Sequence, residues 1–175
     1  LFGDKVVFPI MTASEIQFIK SEAAFISGNK SLAFIAYNKG VNLHFDFINR
    51  AGFPRGNNQL FSVNPIKEAD KTAYFNSGNV KKSAGDLTIS DIMLQKYIAL
   101  WGWGFFETFV DMRRYHYTDI DPLNGNQVYH KFTLPSPLAP ENNTRPVYRV
   151  RPRYNSEYVW NRDELLRIGA LNNDY

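Results

Sequence analysis

The chain contains no cysteine, which excludes disulfides, thiolate metal sites and cysteine nucleophiles. It also lacks any run approaching the ~18 to 20 apolar residues that a membrane-spanning helix needs, and it shows no secretory signal pattern. Strong charge of one sign is missing as well, since the formal net charge is only +3. Arg145, Arg149, Arg151, Arg153, Arg162 and Arg167 crowd the last third, but Glu141, Glu157, Asp163 and Glu164 are interleaved with them. That mixture reads as paired or exposed structural arginine and not as a nucleic-acid surface. No G-x-S-x-G elbow, phosphate loop or HExxH stretch occurs, and these are the local signatures that would have supported an enzyme. His44, His116 and His130 are too scattered for metal-ligand spacing, so neither a metal nor a cofactor is expected. The chain opens at Leu1 without methionine and stops abruptly in LNNDY, as a piece cut from a longer protein is expected to do.

What is present is aromatic. At 15% Phe, Trp and Tyr the chain carries far more ring surface than a disordered segment would, and 175 residues suffice for one globular piece with its own core. The stretch around which it is organised runs from Ser90 to Arg114. Between Ile92 and Trp101 only Gln95 and Lys96 are strongly polar, the pattern of a helix buried on most sides. Thr88, three residues ahead of Asp91, predicts a capped start near Ile89. Gly102 and Gly104 flank Trp103 and predict a break, because each glycine weakens a helix by roughly 1 kcal/mol relative to alanine. Helical spacing then resumes toward Arg113 and Arg114.

Ahead of this element, Lys5 to Ile10 reads as extended, and Thr12 with Glu15 has capping-box spacing. Ile16, Ile19, Ala23 and Ile26 recur along one face of the helix that follows, with Gly28 as its left-handed stop. A second helix runs to about Phe47, bent near Gly40, and the short connection predicts an antiparallel αα-hairpin over residues 12–47. Such a unit is tetratricopeptide-like. Residues 49–86 form a long loop rich in glycine and asparagine, with a short helix between Pro65 and Tyr74, ahead of the central element at residues 88–116. The remainder predicts an irregular, extended strap over 118–160, with a strand from Val128 to Leu134. The strap's segment from Arg145 to Tyr158 is expected to cross the helical body. A short helix at 161–169 follows, capped by Asn161 and stopped by Gly169. The predicted fold class is mainly α: a tetratricopeptide-like αα-hairpin, a buried helix, long loops and an extended C-terminal strap.

Two constellations invite a chemical reading. Glu107 and Asp111 are carboxylates at i,i+4, a spacing compatible with acid/base or metal chemistry. Arg114 stands three residues from Asp111, however, and a helix-face ion pair is the expected use. Trp101, Trp103, Tyr115 and Tyr117 are candidates for a sugar-stacking platform, since aromatic faces cover the C–H face of a pyranose. Their helical positions favour core packing, for Trp101 more strongly than for Trp103. Phe53, Tyr74 and Phe75 lie in the Asn- and Gly-rich loop, where side chains reach a surface. Phe53, Tyr74, Phe75 and Trp103 are therefore the candidate ligand contacts.

Three stretches, PIMTASEIQFIKSEAAFISGN, IMLQKYIALWGWGFFETFVDMRR and RPRYNSEYVWN, resemble in order the C-terminal part of the SusD/RagB family of outer-membrane nutrient-binding lipoproteins. The departures are Trp103 between its glycines and the 49–86 loop. The resemblance implies that residues 1–175 belong to a larger SusD-like domain. It also implies a non-enzymatic lid that captures a glycan or peptide at the cell surface, lipid-anchored outside this piece and seated on a TonB-dependent, SusC-like transporter. An oligosaccharide is the implied ligand. The alternatives are peptide capture and a helical protein–protein interaction scaffold.

Overall fold

The computed structural model describes residues 9–50, 65–138 and 159–169; Phe53 and the Arg145–Tyr158 strap lie outside them. The fold is mainly helical, as expected, with six helices and no strand among the described residues. Contacts divide the chain into two compact units, Leu1–Lys131 and Phe132–Tyr175.

In the first unit, α1 (Ala13–Ile26) starts where Thr12 accepts a hydrogen bond from the Glu15 amide at 3.1 Å, and α2 (Lys30–Ile48) where Asn29 accepts one from the Leu32 amide at 3.0 Å. Both caps satisfy amides that a helix cannot pair internally. Gly28 joins the helices with φ +83°, in the left-handed region that glycine enters without penalty. The hairpin is the predicted one, but α1 faces the opposite way. Ile16, Ile19 and Ile26 are exposed, while Ser14, Glu15, Phe18, Ser21, Glu22 and Ala24 are buried. The physical reason lies in small size and hydrogen bonding: Ser14 Oγ donates to Gly40 O at 2.7 Å and Ser21 Oγ to Ala33 O at 2.8 Å. These hydrogen bonds hold the two helices close and satisfy both serine hydroxyls. Gly40 sits inside a continuous α2. A Cβ at this position would stand 2.9 Å from the Phe18 ring, so the glycine makes room for a core phenylalanine.

The next helix, α3 (Glu68–Asn76), is the predicted short helix of the long loop. Its approach is clipped to the end of α2 by Asn49, whose side chain donates to Ile66 O at 2.8 Å and accepts from Ile66 N at 2.9 Å. The central element follows as α4 (Ile89–Leu100) and α5 (Phe105–Arg114). A full capping box of Thr88 and Asp91 opens α4. Ile92, Met93, Ala99 and Leu100 are buried, as are Gln95 and Lys96, whereas Tyr97 and Ile98 are exposed. The break falls at the two glycines. Gly102 has φ +87°, and a Cβ on Gly104 would lie 2.5 Å from Leu100 Cδ2.

After α5 the chain folds into an Asp121-centred turn and not into the predicted strand. Asp121 is fully buried; its carboxylate accepts from Leu123 N at 2.9 Å and from Ser90 N at 3.2 Å, tying the turn to the first turn of α4. Val128 is buried, as its pattern suggested, but its amide donates to Asp119 O at 2.9 Å. Among the described residues only an isolated Ile120–Gln127 bridge forms. In the second unit, α6 (Arg162–Arg167) ends at Gly169 with φ +73°. Asn161 stands at its N-cap without a side-chain cap hydrogen bond, a correction to the expected cap.

Candidate functional site

The candidate ligand residues divide by environment. Tyr74 and Phe75 are half-buried and meet Phe45, with ring centroids 5.5 and 6.3 Å away. The Tyr74 hydroxyl accepts a hydrogen bond from Gln95 Nε2 at 2.8 Å, so α3 is fastened to α4 through a buried amide. Trp103 is 4% exposed; its indole nitrogen donates to Ala99 O at 3.1 Å and its ring lies 6.2 Å from that of Phe47. Trp101, read from the sequence as the more firmly packed of the two, is instead 68% exposed. The exchange follows from the elbow: Gly102 reverses the backbone after α4, so helical phase no longer predicts which indole turns inward.

A charged network of buried Lys96, Asp111 and Glu22, with Arg114 at its exposed edge, holds that elbow. Lys96 Nζ lies 2.6 Å from Asp111 Oδ2. Arg114 Nη2 lies 2.8 Å from Asp111 Oδ1, the expected i,i+3 pair, and 2.7 Å from Glu22 Oε1. The Tyr115 hydroxyl donates to the same Glu22 oxygen at 2.7 Å. Burial works against the Arg114 cation, but hydrogen bonds to Asp111 and Glu22 outweigh it and hold its pKa above the ordinary value. Burial, reinforced by the bond to Glu22, pushes the Tyr115 phenol up. Asp111 is thus engaged by two cations while Glu107 is exposed, and the two do not make an acid/base pair. Among the described residues no group of three His, Cys, Asp or Glu side chains is placed to hold a metal.

The network also fixes the phase of α5. Its Asp111 and Arg114 face α1 and α4, so Phe105, Phe106, Phe109 and Val110 are exposed. The sequence spacing puts Phe105, Phe109 and Met112 on one side and Glu107, Asp111 and Arg114 on another, but it does not say which side meets solvent. The signal was the position of Asp111 and Arg114 opposite the phenylalanines on a 3.6-residue period, which needs the distant partners Lys96 and Glu22 before it says which side is inside.

The chain matches the family model described as "Starch-binding associating with outer membrane" over residues 4–135, most of its length. It belongs to the SusD/RagB family. Comparison with the curated proteins and with the solved structures gives no match. SusD-like proteins are binding proteins associated with the outer membrane. Among the described residues no helix is long and apolar enough to cross a membrane.

Proposed function

We propose that the protein captures glycans at the bacterial cell surface without catalysis, anchored by lipid to the outer membrane and delivering its ligand to a TonB-dependent, SusC-like transporter. The family match over residues 4–135 carries this reading. The engagement of Asp111 by Lys96 and Arg114 supports it, because a carboxylate held by two cations is a poor general base. Tyr74 and Phe75, each partly exposed, are proposed with Phe53 as rim contacts to the oligosaccharide. Trp103, buried against Phe47 and hydrogen-bonded to Ala99 O, is proposed to contribute by holding the elbow. Affinity electrophoresis of the full-length protein in gels containing amylopectin, other polysaccharides or none tests the reading. Retardation by at least one glycan is expected, and binding to peptides alone would replace glycan by peptide capture.

A second reading, a helical interaction scaffold for the transporter, is favoured by the exposed Ile16, Ile19 and Ile26 stripe on α1. Co-purification of the transporter with wild type and with an Ile16→Ser, Ile19→Ser variant separates it: unchanged recovery would remove this role.

A further inference from the structure

The turn that follows α5 carries the one Asn-Gly dipeptide of the chain, Asn124–Gly125. Asn-Gly marks turns because glycine accepts the left-handed backbone, and Gly125 has φ +71°. The same pair is chemically labile. Glycine has no side chain to screen its amide nitrogen, so that nitrogen can close on the side-chain carbonyl carbon of the asparagine before it. Both residues are exposed, and a Cβ on Gly125 would meet nothing within 4 Å, so water reaches the pair.

The folded turn engages every reacting group. Gly125 N, the nucleophile, donates its hydrogen to Asp121 O at 2.9 Å. Asn124 Oδ1 accepts from Asn126 N at 2.9 Å, and Asn124 Nδ2 donates to Asp121 Oδ2 at 3.4 Å. Ring closure takes the Gly125 proton and turns the side-chain amide toward that nitrogen, so these bonds must open first. The amide matters beyond the turn, because the Asp121 carboxylate that it serves is fully buried and also accepts from Ser90 N at 3.2 Å. Ser90 is fully buried in the first turn of α4, and its Oγ donates to Gln127 O at 3.3 Å. A carboxylate in place of the amide could no longer donate to Asp121 when ionised, and it would set like charges side by side.

We propose that Asn124 is a site of spontaneous deamidation, gated by the Asp121 turn, and that its conversion unfastens the turn from α4. Gly125 N attacks Asn124 Cγ, the Cγ–Nδ2 bond breaks, and ammonia leaves with the Gly125 proton. Water then opens the cyclic imide at either carbonyl, giving aspartate or isoaspartate and restoring the Gly125 N–H. Aspartate brings the repelling charge. Isoaspartate brings it too and lengthens the main chain by one carbon, which shifts Gly125 N out of register with Asp121 O. Either product is a one-way record that the turn has opened.

The experiment ages full-length wild type at pH 8 and 37 °C, folded or in guanidinium chloride, and follows Asn124 by peptide mapping with mass spectrometry. Conversion is expected to be at least about tenfold slower in the folded protein, where only local opening admits it. Equal or faster conversion in the folded protein would overturn the gate, and an Asn124 that persists in the unfolded chain would overturn the site. Amide hydrogen exchange of Asn124→Asp and Asn124→Ala tests the unfastening, since both lose the donor and only the first adds the charge. At pH 7, residues 119–128 and the first turn of α4 are expected to exchange about tenfold faster in Asn124→Asp than in Asn124→Ala. Equal exchange in the two variants would overturn the release of the turn.

Discussion

The Lys96 ammonium and the Asp111 carboxylate lie 2.6 Å apart with both side chains buried, and this contact decides which side of α5 meets solvent. Removing one member leaves the other charged and enclosed. Asp111→Ala should therefore cost about 3–5 kcal/mol, because Lys96 then loses its counter-ion and Arg114 keeps only Glu22. A urea titration measures it. A loss below about 1 kcal/mol, the range of exposed pairs, would mean that water reaches the pair.

Glu15 supplies a pH test with a definite sign. The residue is 2% exposed, and among the described residues Oε2 has no hydrogen-bond partner. Burial pushes its pKa above the ordinary 4.5; the Thr12 amide and Lys96 oppose that shift, and the charges of Glu107 and Asp111 reinforce it. The folded state thus holds the proton more tightly than the unfolded one. The stabilisation is complete below about 4.5 and is lost as pH rises through the folded value. Glu15→Gln keeps the neutral shape, so its stability relative to wild type should increase from pH 4 to pH 8. His44 works in the other direction, since burial lowers its pKa below 6.5, and acid costs stability there. A common His44→Phe background isolates the Glu15 contribution. A relative stability that stays flat with pH would show that folding does not raise the Glu15 pKa.

Gly104 should resist substitution where Gly78 does not. A Cβ on Gly104 meets Leu100 Cδ2 at 2.5 Å and Leu100 Cβ at 2.9 Å, whereas one on Gly78 meets nothing within 4 Å. Leu100 is itself buried and cannot step aside freely. Gly104→Ala is expected to cost about 1–3 kcal/mol by overpacking, and Gly78→Ala to stay within about 1 kcal/mol of wild type. Equal melting temperatures for the two variants would place the elbow's rigidity elsewhere.

What was legible in the sequence was local. Thr12, Thr88 and Gly28 mark helix ends because capping uses residues within three or four positions of one another, and Asp111 with Arg114 is a pair along one helix. Gly102 and Gly104 mark the break for the same reason. Most of the misreadings concern which side faces in. The Ile16–Ile19–Ile26 stripe is more apolar than the Ser14–Phe18–Ser21 face, yet hydrogen bonds across the hairpin chose the latter. Lys96 finds Asp111 across the elbow and Glu22 finds Arg114 from another helix, relations that no local period contains. Val128 had the composition of a strand, but among the described residues no partner strand completes a ladder.

The orientation of α1 can be tested at neighbouring positions. Phe18 is fully buried; its ring packs edge-on to Tyr37, with centroids 6.4 Å apart, and fills the space that Gly40 leaves. Ile19, next in the chain, is 43% exposed. Truncating the first removes many contacts and opens a cavity that the hydrogen-bonded hairpin cannot collapse to fill. Truncating the second removes only a partly hydrated methyl surface. Phe18→Ala should cost about 3–5 kcal/mol, and Ile19→Ala no more than about 0.5 kcal/mol. Urea titrations of both variants check this, and a cost at Ile19 equal to that at Phe18 would put the isoleucine stripe back in the core and reverse the face assigned to α1.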